Sequence, residues 1–187
     1  MYRDWIRRIF NPLVKGFSVF PPNFLTLLGF FIVLIGVYVL VKGYPFLAGW
    51  IILAGSIFDM IDGGVARLKG KTSRFGAFLD STLDRYSDFF IFTGVALWSK
   101  DGILMYLALA SLLGSFITSF ARARGEALGV DVKVGFMQRG ERVALMILGL
   151  ILYKYILLYV LGFIAVMTNI TAIHRIYHVW KVLKKEV

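Results

Sequence analysis

From Asn23 to Val41 the chain runs NFLTLLGFFIVLIGVYVLV without one charged side chain, and that stretch constrains the fold more than any other feature. About twenty consecutive apolar residues, wound as a helix at ~1.5 Å per residue, match the ~30 Å hydrocarbon core of a bilayer. Pro21 and Pro22 open the run, and Lys42, Gly43 and Pro45 close it. It does not stand alone: 59% of the 187 residues are hydrophobic, 16% are aromatic, and the mean hydropathy is +0.77. No soluble core buries so large an apolar share in so short a chain, and an all-α polytopic membrane protein is predicted.

Five further spans follow by the same reasoning. The second runs from Pro45 into an aspartate-bearing stretch, the third from about Ser73 to Leu97, and the fourth from about Gly102 to Ala121. The fifth is expected over Arg142 to Tyr159 and the sixth over Val160 to Val179, with only Lys154 and Tyr155 hinting at the turn between them. Six spans of about twenty residues over 23–180 leave short loops, so 1–187 reads as a single membrane domain. Before them, MYRDWIRRIFNPLVKGF sets Arg3, Arg7, Arg8 and Lys15 against Trp5, Ile6, Ile9, Phe10 and Leu13, which predicts an amphipathic helix over 1–17 lying on the membrane surface.

The net charge of +10 is explained by where the basic residues fall. Arg3, Arg7, Arg8 and Lys15, then Arg67, Lys69, Lys71 and Arg74, then Arg122, Arg124, Lys133, Arg139 and Arg142, and finally Lys181, Lys184 and Lys185 all lie on one side of six spans. The other side holds Lys42, Lys100 and Lys154, so the positive-inside rule puts both termini in the cytoplasm. Such a distribution serves anionic headgroups, not a nucleic acid. The absence of cysteine removes thiol chemistry and disulfides from consideration.

Against this background DMIDGGVARLKGKTSRFGAFLDSTLDR is anomalous, because it sets Asp59, Asp62, Asp80 and Asp84 in apolar surroundings. A carboxylate at membrane depth costs several kcal/mol unless positive charge compensates it. At ~100° per residue, Asp59, Asp62, Gly63 and Ala66 share one helix face, and Ser73, Gly76, Asp80 and Asp84 share another. Ion pairs with Arg67, Arg74 and Arg85 would satisfy some of these acids but do not explain their alignment with glycines. Like charges this close oppose one another's ionisation unless a cation intervenes. Carboxylate oxygens without His or Cys suit magnesium, manganese or calcium. The glycines and alanines permit either close helix packing or the approach of a bulky ligand.

The pattern D-x2-D-G-x2-A-R-x8-G-x3-D-x3-D, supplied by Asp59, Asp62, Gly63, Ala66, Arg67, Gly76, Asp80 and Asp84, resembles the signature of the CDP-alcohol phosphatidyltransferases at every position. The resemblance implies an enzyme that joins a CDP-linked lipid to an alcohol and releases CMP, with six membrane helices and a homodimeric assembly. It implies that Asp59, Asp62, Asp80 and Asp84 coordinate two Mg2+ or Mn2+ ions and that Asp84 is the general base. Gly63, Ala66, Arg67, Ser73 and Gly76 would receive the CDP-lipid. Asn23 and Thr26 resemble a nucleotide-side motif, although a helix cap accounts for them equally.

For the acceptor, Arg122, Arg124, Arg139, Arg142 and Arg175 converge from the ends of spans four to six, and arginine forks suit a phosphate dianion. R-A-R-x-E-A-x-G, G-F-x-x-R-x-E-R and R-I-Y-H-V-W resemble the phosphatidylinositol phosphate synthase branch and its archaeal relatives. The resemblance implies inositol 1-phosphate as acceptor and CDP-diacylglycerol or CDP-archaeol as donor, glycerol 3-phosphate being the alternative acceptor. A prenyltransferase would carry denser aspartate motifs on a longer chain. A divalent-cation transporter would line a path towards midmembrane instead of clustering acids beside arginines. His174 and His178 are too few for a metal site, and Trp5, Trp50, Trp98 and Trp180 read as interfacial anchors.

Overall fold

The computed structural model describes residues 12–70, 72–99 and 102–185. Residues 12–16 are helical and run into a 3-10 turn over Phe17–Val19; the rest of the expected amphipathic segment lies outside the described residues. Six helices follow: α1 Pro22–Val41, α2 Pro45–Leu68, α3 Arg74–Ser99, α4 Gly102–Ala127, α5 Arg139–Ile151 and α6 Tyr153–Leu183. Among the described residues there is no strand. Proline opens α1 and α2, where its missing N–H leaves no bond unmade, and Lys42 and Lys69 cap their far ends.

Four of the six, α1, α2, α4 and α6, are long and apolar enough to cross a membrane. Helix α3 carries Asp80, Asp84, Arg85 and Asp88, and α5 has 13 residues, or ~20 Å of helix. The reversal between α5 and α6 comes at Leu152, earlier than the expected 159/160 boundary. Apolar side chains continue on both sides of it, so hydropathy does not mark it. The polar tips do: Tyr153 leaves the turn to pack edge-on against Trp98 at 5.9 Å, and Lys154 sits 5.9 Å from the Tyr153 ring.

The bundle exposes large apolar side chains on its outside and buries hydroxylic ones among the aliphatic residues of its core. Phe31, Phe78, Tyr106 and Phe120 are exposed, whereas Ser111, Ser115, Thr118, Thr168 and Thr171 are buried. Where lipid is as apolar as the core, helices associate through close packing and hydrogen bonds. Accordingly Thr118 Oγ1 donates to Thr168 O at 2.9 Å and Asn169 Nδ2 to Ala110 O at 3.2 Å, joining α4 to α6. Helix α1 packs on α2 and α3, α2 on α5, α3 on α4, and α5 on α6. The α1–α2 contact depends on Gly29 and Gly55, each of which would place a Cβ 2.8 Å from the other's carbonyl oxygen. One turn beyond Gly55 lies Asp59, so this close approach fixes where the carboxylates stand.

Candidate active site

Asp59 and Asp62 on α2 face Asp80 on α3, and one carboxylate oxygen from each of the three lies within 4.8 Å of the others. Asp62 is 5% exposed, and its Oδ2 has no hydrogen-bond partner. A buried, unpartnered carboxylate oxygen is costly, and three converging hard oxygens are the donor set a divalent cation takes. The residues present therefore fit such an ion.

Beside this cluster lies a cavity of about 190 Å³ between α1, α2 and the start of α3. Asn23, Thr26, Gly63, Ala66, Arg67, Ser73 and Gly76, all the positions expected to receive a CDP-lipid, line it together with Asp62 and Asp80. Asn23 does not cap its helix: Pro21 occupies that place and α1 has no side-chain cap. Ser73 does cap α3, its Oγ accepting from Gly76 N at 2.9 Å. A Cβ at Gly76 would stand 3.0 Å from Ser73 Oγ and 3.2 Å from Asn23 Oδ1, so the missing side chain keeps the cavity open. Gly64 serves differently, its bare surface receiving Val14 of the N-terminal helical turn.

A second cavity, of about 610 Å³, opens across Ala77, which lines both. Asp84, Arg122, Arg139, Arg142 and Arg175 face into it. Arg124 does not. Two residues from Arg122 on α4, or ~200° around the helix, it borders a separate apolar groove with Phe120, Leu128 and Val179. The expected five-arginine cluster is thus four.

These four are held in different ways. Arg175, 4% exposed, donates from Nε to Val134 O at 2.9 Å and from Nη1 to Thr118 O at 2.7 Å, so it ties the α4–α5 loop to the bundle. Arg122 pairs with Glu126 at 2.8 Å. Arg142 is buried against Asp88, with Nη2 to Oδ2 at 2.9 Å. Arg139, the first residue of α5, sits among the acids: Nη1 donates to Asp59 Oδ2 at 2.8 Å and lies 2.5 Å from Asp84 Oδ1. That second approach is an ion pair without hydrogen-bond alignment, since Asp84 Oδ1 lacks a hydrogen-bond partner. A capping box, in which Gln138 N donates to Glu141 Oε2 at 2.8 Å, sets the angle at which α5 presents Arg139.

Asp59, Asp84 and Asp88 find their cations on α5, in Arg139 and Arg142. Among the described residues no ion pair joins the four aspartates to Arg67, Arg74 or Arg85. Asp88 is the site residue that the sequence pattern left out, although it continues the stripe of 80 and 84 by four more positions. The histidines are structural: His178 Nε2 lies 3.1 Å from Asp131 O, and His174 stacks on Phe136.

The bundle thus sets opposed carboxylate faces between a glycine-lined cleft and an arginine-lined one, a pairing suited to a divalent cation and to anionic groups. Residues 19–174 match the CDP-alcohol phosphatidyltransferase family, and the chain belongs to it. It is 37% identical to archaetidylinositol phosphate synthase of Pyrococcus horikoshii over 165 residues, covering 87% of this chain and 85% of that one. It is 37% identical over 157 residues to phosphatidylinositol phosphate synthase of Streptomyces avermitilis, covering 78% of this chain and 64% of the other. The crystal structure of Mycobacterium tuberculosis phosphatidylinositol phosphate synthase with CDP-DAG bound superposes with a TM-score of 0.85 at 31% identity, covering 92% of this chain and 94% of that one. The same enzyme in complex with manganese and citrate gives 0.83 at 30% identity, over 90% and 88%.

Proposed function

We propose that the protein transfers the phosphatidyl or archaetidyl group of CDP-diacylglycerol or CDP-archaeol to a hydroxyl of inositol 1-phosphate, releasing CMP. One observation carries this reading: the donor-side cavity and the arginine cavity meet at Ala77, with the aspartate cluster beside their junction. Asn23, Thr26, Gly63, Ala66, Arg67, Ser73 and Gly76 receive the cytidine diphosphate. Arg122, Arg139 and Arg175 bind the acceptor's phosphate, and Arg142 supports them from its pairing with Asp88. Glycerol 3-phosphate is the competing acceptor; similarity to two inositol-phosphate-type synthases favours inositol 1-phosphate.

Asp59, Asp62, Asp80 and Asp84 would hold two Mg2+ or Mn2+ ions, the first three forming the cluster described above. Bound there, the ions would neutralise the diphosphate and make CMP a better leaving group. Asp84, at the wall of the arginine cavity, takes the proton of the acceptor hydroxyl as its oxygen bonds to the lipid-bearing phosphorus and the bond to CMP breaks. All six helices form the membrane bundle, with both termini and the site on the cytoplasmic side and two chains in a homodimer.

Purified protein given CDP-lipid, Mg2+ and a panel of labelled alcohols is expected to release CMP with inositol 1-phosphate and to stop when EDTA is added. Transfer to serine alone refutes the acceptor assignment. Asp84→Asn is expected to lose turnover while retaining CDP-lipid binding, and an active Asp84→Asn removes that residue as base.

A further inference from the structure

A single guanidinium contacts carboxylates from two helices. Arg139 Nη1 bonds Asp59 Oδ2 at 2.8 Å and meets Asp84 Oδ1 at 2.5 Å, while Nε stands 4.0 Å from Asp88 Oδ1. Asp59 belongs at once to this pair and to the three-carboxylate cluster with Asp62 and Asp80. Arg139 also lines the arginine cavity, so the same side chain stands on the wall between the acids and the space for the acceptor. Its hold is incomplete. Nε is buried with no hydrogen-bond partner, and Asp84 Oδ1, though close, is not aligned for a bond. The arrangement neutralises repelling carboxylates without saturating either partner.

We propose that Arg139 is a tethered counterion that occupies the position between Asp59 and Asp84 until a divalent cation displaces it, whereupon the guanidinium turns into the neighbouring cavity and becomes available to an acceptor's phosphate. This rests on the metal reading of the aspartate cluster given above. The Asp59, Asp62 and Asp80 oxygens can take an ion without removing the arginine's contact to Asp84, whereas an ion on Asp59 and Asp84 competes directly with it. The apparent affinity of that second ion falls by the fraction of molecules in which the two carboxylates are free. Coupling of this kind is reciprocal, so a phosphate that draws Arg139 into the cavity tightens binding of the second ion. Arg139 also keeps Asp84 engaged before the second ion arrives, so that this carboxylate leaves the guanidinium only when the site is loaded.

Titration of the full chain in lipid nanodiscs with Mn2+, following the free-ion electron paramagnetic resonance signal, tests this without turnover. The wild type is expected to show one tighter and one weaker site. Arg139→Gln is expected to tighten the weaker one about tenfold, equivalent to ~1.4 kcal/mol. Equal titrations for wild type and Arg139→Gln overturn the inference while leaving the metal reading intact. No Mn2+ binding by either overturns both. Should Arg139→Gln fail to fold, the wild type provides a second measurement: phenylglyoxal labelling read by mass spectrometry, with Arg124 as internal standard because it faces a different groove. Mg2+ is expected to raise labelling of Arg139 several-fold relative to Arg124. Unchanged or lowered labelling overturns the inference.

Discussion

Asp88→Asn tests how the start of α5 is anchored. The side chains of Asp88 and Arg142 are 6% and 3% exposed and meet at 2.9 Å. Removing one member of such a pair strands the other, at a cost of about 3–5 kcal/mol. Arg142 has little else to fall back on: Nη1 donates to Met137 O at 3.3 Å and Nε has no partner. Asparagine still offers one acceptor, which places Asp88→Asn near ~3 kcal/mol, the low end of that range. Replacing both charges, as Asp88→Leu with Arg142→Met, removes the stranded charge and is expected to recover stability to within about 1 kcal/mol of wild type. Denaturant unfolding in detergent micelles measures Asp88→Asn, the single variants Asp88→Leu and Arg142→Met, and the double. If Asp88→Asn unfolds with the wild type, or if the double variant is as unstable as either single one, the pair is not the anchor described.

Three further outcomes follow from the geometry. Gly76→Val fills the space between Ser73 Oγ and Asn23 Oδ1 and is expected to weaken CDP-lipid binding at least tenfold, about 1.4 kcal/mol, with the fold intact by circular dichroism. Gly135→Ala places a Cβ against Thr171 at a φ of +117°, next to the Val134 carbonyl that Arg175 holds, and is expected to raise the KM for the acceptor several-fold while CDP-lipid binding is unchanged. Gly29→Val sets side-chain atoms against the Gly55 carbonyl and is expected to destabilise the protein by about 1–3 kcal/mol, read as an earlier unfolding midpoint.

What could be read from the sequence was what local periodicity controls. Asp59 and Asp62, and Asp80 and Asp84, lie on shared helix faces because three- and four-residue spacings put them there, and the glycines between them mark where a ligand or helix approaches. All seven positions that the family resemblance assigned to the CDP-lipid line one cavity, but they come from α1, α2 and the start of α3, and it is the packing of those helices that brings them together. Asp88 was legible too, as the next step of the same stripe. Arg124 and Arg122 are separated by two residues and therefore by roughly 200°, so one helix could not aim both at one phosphate. Distances across the bundle were not legible. Nothing local announces that Arg139, eighty positions after Asp59, places its guanidinium on that carboxylate. The reversal at Leu152 was hidden for a different reason: a turn flanked by equally apolar helices leaves no gap in hydropathy.

The thin partition at Ala77 also separates two kinds of concentration. On the proposed function, the cleft bounded by α1, α2 and α3 takes the lipid donor and the cleft bounded by α3, α4, α5 and α6 takes the acceptor, so the two molecules would meet across one small side chain. A lipid donor is diluted by the other lipids around it and counted per unit of membrane, whereas a phosphorylated alcohol is dissolved in water and counted per unit of volume. Rates measured at fixed total substrate will change when vesicles are added that carry no donor, because only one of the two supplies is thinned.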